Sequence, residues 1–192
     1  MDDLTQLLDQ LRTQRPVAWV QLPDFALYMD QVLSYMDRQV IPFDGDDSLT
    51  AAMVNNYTKS GLVPRAAGKR YGREHLAYLT AICVLKHVMS TRDMDLLLNE
   101  ELQGGRTIAQ GYGEFCASLD AALTLTAQEM EQYTDEEALA DAAIHFALIS
   151  YAAGAASSRY VALLRQRKEA LAQENKPSKK GRKDREEHHH DA

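Results

Sequence analysis

Gly61 and Pro64 stand three residues apart between two runs of helical periodicity, and together they forbid a single helix through this region. Upstream, Leu49, Ala52, Met53 and Tyr57 recur on one face of a helix that Ser48 is placed to cap. Glycine suits the left-handed residue that ends a helix, and proline has no N–H with which to resume it. Downstream, residues 65–71 are too short and too basic to bury, which predicts a turn or a small two-stranded wing. A second helix then runs from Arg73 to Met89, with Leu76, Leu79, Thr80, Cys83 and Val84 inward. The centre of the chain is therefore helix, basic turn, helix.

The flanking segments carry the same period. Leu4, Leu7, Leu8 and Leu11 predict an amphipathic helix over 2–14, ended by Pro16. The "PVAWVQLPDF" stretch reads as extended. From Asp24, the spacing of Leu27, Tyr28, Gln31, Val32, Tyr35 and Met36 predicts a helix ending before Pro42, and "FDGDDS" reads as a loop. Thr91 is expected to cap a short helix through Leu98, with Asp93 in its first turn. After the Gly104–Gly105 boundary come a helix over 107–123 and one from Thr134 to about Glu174. No run of strand period exceeds a few residues, so the fold class is all-α. The expected organisation is an N-terminal helix and arm (1–21), a helical core (22–100), a second helical region (101–175) and a disordered charged tail (176–192).

Charge is distributed unevenly. Residues 1–47 carry nine acids and three bases, 93–174 carry fourteen acids and five bases, and the tail carries six bases and four acids. Residues 48–92 carry seven bases and one acid, a net +6 inside a chain of net charge -7. Five of those bases (Lys59, Arg65, Lys69, Arg70 and Arg73) fall within or next to "NNYTKSGLVPRAAGKRY", residues 55–71. Net charge is thus the wrong statistic for judging contact with nucleic acid; the local island is the relevant one.

Short helix, helix, basic wing, helix, short helix is the order of a winged helix-turn-helix. "VNNYTKSGLVP" (54–64) resembles the second helix and exit of the MerR family, where a Tyr-containing stretch leads to Gly-Leu-Ile/Leu-Pro. "GKRYGREHLAYLTAICVLKHVMSTRDMDLLL" (68–98) is similar to the wing and following helices there. With "LYMDQV" at 27–32, the chain looks closer still to a family of uncharacterised bacterial proteins placed near MerR. The resemblance covers residues 22–98. Asn55 and Asn56 stand where Arg and Tyr are usual, and the wing's Arg-x-Tyr is met only as Lys69-x-Tyr71, or as Arg70-Tyr71 directly. The resemblance implies a MerR-like winged helix-turn-helix followed by a C-terminal helical region.

Nucleic-acid chemistry supports the same expectation from the residues alone. A helix in the major groove needs short polar side chains at base edges, and asparagine pairs in bidentate fashion with adenine. The helix over 48–60 is expected to turn Thr50, Ala51, Val54, Asn55, Thr58 and Lys59 outward. Phosphates need peripheral cations, which Lys59, Arg65, Lys69, Arg70 and Arg73 supply. The candidate DNA-binding residues are Thr50, Asn55, Thr58, Lys59, Arg65, Lys69, Arg70 and Arg73. The expected function is a DNA-binding transcriptional regulator, reading the groove with 48–60 and phosphates with 65–73. The alternative is a non-enzymatic protein-interaction module that keeps the shape, with the asparagines tying a helix end and the cations solubilising a loop.

No catalytic motif, Gly-rich phosphate loop or paired metal-ligand spacing occurs, so no enzyme activity, cofactor or metal is expected. Cys83 and Cys116 are expected to be reduced, and His188–His190 to lie in a solvated tail. An acidic start and the lack of an unbroken apolar run of 18 residues predict no membrane span and a cytoplasmic location. One half-site is rarely enough for specific binding. The helix from Thr134 to Glu174, about 60 Å long, bears Leu139, Phe146, Tyr160 and Leu164 at helical steps around a small-residue centre, "AAGAASS". A homodimer joined through 107–170 is expected.

Overall fold

A computed structural model describes residues 2–42, 48–103, 105–133 and 135–174. The loop residues 43–47, the cap expected at Thr134, and the tail with its three histidines lie outside them. The described residues form α1 (Asp2–Thr13), α2 (Met29–Met36), α3 (Ala51–Ser60), α4 (Arg73–Leu85), α5 (Thr91–Gln103), α6 (Ile108–Met130) and α7 (Leu139–Glu174), with short 3-10 turns at Trp19–Gln21 and Glu136–Ala138. Extended pairing among them is confined to two isolated bridges, so the protein is all-helical. Among the described residues, those up to Gly154 make one compact unit and 155–174 belong to a second.

The core of the first unit is built around α4. Its residues 76–83 are buried without interruption, because helices pack on it from several sides rather than one. Thr80 tolerates this position by donating its hydroxyl to the Leu76 carbonyl at 2.9 Å. Val32 and Met36 of α2, Val54 of α3, and Met94 and Leu98 of α5 complete the cluster with Tyr112 of α6. The Tyr112 hydroxyl donates to the Val17 carbonyl at 3.0 Å, and burial pushes its phenol pKa well up. Cys83 is buried and Cys116 half-buried, both as free thiols.

Several boundaries differ from the expected ones. α2 begins five residues late because Leu27 exchanges two backbone hydrogen bonds with Tyr71, both 2.9 Å, and so stays extended. α3 is capped by Thr50, whose Oγ1 accepts from the Met53 N–H at 3.2 Å, not by Ser48. Ser90, not Thr91, caps α5 by accepting from the Asp93 N–H at 3.2 Å, and that helix runs past Leu98 to Gln103. α4 closes at Leu85, four residues short of Met89. α6 continues to Met130 because its C-terminal half packs on α1. There Arg12 pairs with Glu131 at 2.6 Å, and Arg15 pairs with Asp120 and reaches Thr124.

The face of α3 also needs correction. Val54 is fully buried while Ala52 is exposed, the reverse of the expected assignment. Val54→Ala should lower unfolding free energy by about 2 kcal/mol through two lost methyls and the cavity left behind. Ala52→Ser should stay within about 0.5 kcal/mol. Urea unfolding of the two variants distinguishes the faces; equal effects would refute this packing.

α7 contains Gly154 inside a single helix, with no interruption there. By length and composition this helix is apolar enough to cross a membrane, and no residue of its apolar stretch is fully buried. Asp141, His145 and Arg159 interrupt the apolar run. Ile144, Leu148, Ile149 and Tyr151 are all exposed along the part of α7 in the first unit.

Candidate nucleic-acid interface

Within the basic stretch, residues 67–70 form a two-residue hairpin turn closed by one isolated bridge. Ala67 and Arg70 bridge across Gly68 and Lys69, with the Arg70 N–H donating to the Ala67 carbonyl at 3.1 Å. Both central residues have positive φ, 59° at Gly68 and 62° at Lys69. That is the backbone of the tight hairpin turns whose twist matches paired strands. Glycine adopts it freely, whereas Lys69 does so at a cost of about 1 kcal/mol. Tyr71, one residue on, is buried and bridges to Leu27, which fixes the hairpin to the segment before α2.

Within this frame the candidate residues divide by what holds them. Asn55 and Lys59 are exposed on α3, as are Arg65 in the following loop and Lys69 at the turn. Lys59 lies in the last turn of α3, where a cation complements the negative helix end. Thr50 is exposed, but its hydroxyl oxygen serves the helix cap. Thr58 is half-buried and donates its hydroxyl to the Val54 carbonyl at 2.9 Å, so its donor is used within its own helix. Val54, expected outward, is in the core.

The two arginines after the turn are tethered. Arg70 donates from Nη2 to the Tyr28 hydroxyl at 3.0 Å, and its guanidinium lies 5.2 Å from the Tyr28 ring centroid. Arg73 donates from Nε and Nη2 to the Leu22 carbonyl at 3.2 and 3.0 Å, and it sits 5.7 Å from the Trp19 ring centroid. Arg73 therefore fastens the 19–22 segment to the start of α4. His75 completes that helix start by accepting the Gly72 N–H at Nδ1, 3.0 Å away, while its ring meets Tyr71 edge-on. Its buried Nε2 has no partner, and neither has the buried Tyr35 hydroxyl.

Sequence reasoning missed two residues here. Tyr28 was expected on the inner face of α2; it is 49 % exposed and precedes the helix as the partner of Arg70. Asn56 is exposed beside Asn55 on α3. A tyrosine followed by a Met-Asp helix start carries no signal for the first, because its partner lies 42 residues away. The adjacent asparagine pair was signal enough for the second. Among the described residues no group of acids, histidines and cysteines could hold a metal ion.

Neither a curated protein nor a solved structure matches the chain. Among protein families, a domain of unknown function, DUF1836, matches residues 17–115, a little over half of the chain. That match agrees with the resemblance to an uncharacterised family and carries nothing for the resemblance to MerR. Reaching from Val17 through the hairpin to Phe115, it makes the chain a member of the DUF1836 family.

Proposed function

We propose that the protein is a DNA-binding transcriptional regulator of MerR-like winged helix-turn-helix type. The observation that carries this reading is the exposed polar end of α3, with Asn55, Asn56 and Lys59 open to solvent on the unit that also presents the Lys69 turn. A protein-interaction module that had only kept the shape would have no reason to leave that face bare and cationic. In this reading Asn55 approaches a base edge. Lys59, Arg65, Lys69 and Arg70 take phosphates. Arg73 acts mainly by holding the neighbouring segment, and Thr50 and Thr58 support α3.

Asn55→Ala should relax preference at one base pair by about 1–3 kcal/mol while leaving affinity for random DNA unchanged. Anisotropy titrations on a selected duplex and its single-base variants measure this. Wild-type protein without any salt-dependent affinity for duplex DNA would overturn the proposal itself.

The exposed apolar side chains of α7 support a homodimer as the DNA-binding species. Eight of the twenty residues from Leu139 to Ser158 are alanine, which lets a second helix approach closely. In this reading the same dimer covers the apolar surface of α7, so that no membrane is needed to bury it.

A further inference from the structure

A cavity of about 680 Å³ opens between α1, the end of α6 and the start of α7, well away from the hairpin in sequence. Its volume lies within the range of about 300–1,000 Å³ typical of small-molecule sites. Leu4, Leu8 and Leu11 of α1 face Met130 of α6 and Ala142 and Phe146 of α7 across it. The side-chain polar groups of its lining are the hydroxyls of Thr5, Thr126 and Tyr133. The walls are braced from outside. The Arg12–Glu131 and Arg15–Asp120 ion pairs hold α1 along α6. Tyr133, His145 and Phe146 interlock with ring centroids 5.3 to 6.2 Å apart, and His145 meets Glu129 at 3.3 Å. The structure thus keeps an apolar hollow open between secured helices.

Two features bear on the charge of its occupant. Two aromatic residues, Tyr133 and Phe146, belong to the lining, and aromatic faces attract cations. The three wall segments, 2–13, 129–133 and 135–146, carry nine acids (Asp2, Asp3, Asp9, Glu129, Glu131, Asp135, Glu136, Glu137 and Asp141) against one arginine. That arginine, Arg12, is already paired with Glu131. The lining itself holds no charged side chain, and the acidic segments around it disfavour a fatty carboxylate and favour an ammonium head at its mouth. We propose that this cavity binds an amphiphilic organic cation, an apolar body of roughly ten carbons bearing an ammonium group. The site stands apart from the DNA reading, and its binding is measured without DNA, so the two succeed or fail separately.

Calorimetric titration of the full chain with decyltrimethylammonium, octyltrimethylammonium and decanoate, each below its micelle concentration, tests the proposal. The expected result is one decyl cation per chain, with the octyl homologue roughly tenfold weaker for two lost methylenes and decanoate weaker by at least as much. Ala142→Leu, and separately Ala143→Leu, should fill the hollow and weaken the cation by tenfold or more with unchanged helical circular dichroism. Several results would overturn the proposal: no saturable binding, decanoate as tight as the cation, or two folded variants that bind like wild type. An affinity that falls as the protein is concentrated would also overturn it, because a second copy then covers the cavity.

Discussion

Replacing Lys69 and Arg70 together with alanine is expected to weaken binding to every duplex by roughly fifty-fold at 0.1 M salt. Each phosphate neutralised on B-DNA contributes about 0.9 to the slope of log affinity against log salt, so losing two contacts flattens that slope by about 1–2 units. The loss should be nearly the same for a selected site and for random DNA, since phosphates carry no sequence. Lys69→Ala leaves a side chain with the same steric limits at φ 62°, so the turn itself should persist. Arg70→Ala removes the contact with Tyr28, and thermal unfolding checks that the fold survives. A slope identical to wild type would remove the hairpin from the interface.

The second large effect concerns assembly. Sedimentation at micromolar concentration should give about 43 kDa, twice the 21.5 kDa of one chain. Ala156→Glu, or Ala155→Glu, should then dissociate the pair by on the order of a hundredfold or more, because a two-fold interface carries each substitution twice and buries an unpaired charge each time. DNA affinity should fall with it, since two half-sites act together only when the subunits are joined. The wild type should remain soluble without detergent. A wild-type monomer would end the dimer reading, and a chain that stays with the membrane fraction would make α7 a spanning helix instead.

The sequence carried the order of helices well and their edges poorly. Leu76, Leu79 and Cys83 announce α4 because a helix buried on all sides needs apolar residues throughout. Gly61 and Pro64 announce the end of α3, and Gly61 does take positive φ, at 87°. The inward face of α3 was misread for a simple geometric reason. Met53 and Tyr57 define the centre of a stripe, and Ala52 and Val54 flank it on opposite sides at 100° per residue. Only the helices packed against α3 decide between them, and they select Val54. The candidate site shows the same division. Its cations and asparagines were visible as residue types in one short stretch. The bridge between Leu27 and Tyr71, which brings Tyr28 to Arg70, joins residues 44 positions apart and has no local signature. The cavity was equally hidden: the leucines of α1 show an amphipathic helix, but its opposite wall lies more than a hundred residues onward.

The tethering of Arg70 and Arg73 has a thermodynamic consequence. A flexible cation that settles on a phosphate loses rotamer freedom worth about 0.5–1.5 kcal/mol. Arg70, pinned between the ring and hydroxyl of Tyr28, has surrendered most of that freedom during folding. Arg73 is restrained likewise by the Leu22 carbonyl and Trp19. Lys69 and Arg65 remain exposed. On a charged backbone such a surface behaves as a rigid peg flanked by adjustable feelers. In the proposed DNA-binding role, the peg would set where the hairpin lands, and the feelers would absorb the variation in phosphate spacing from one duplex to the next.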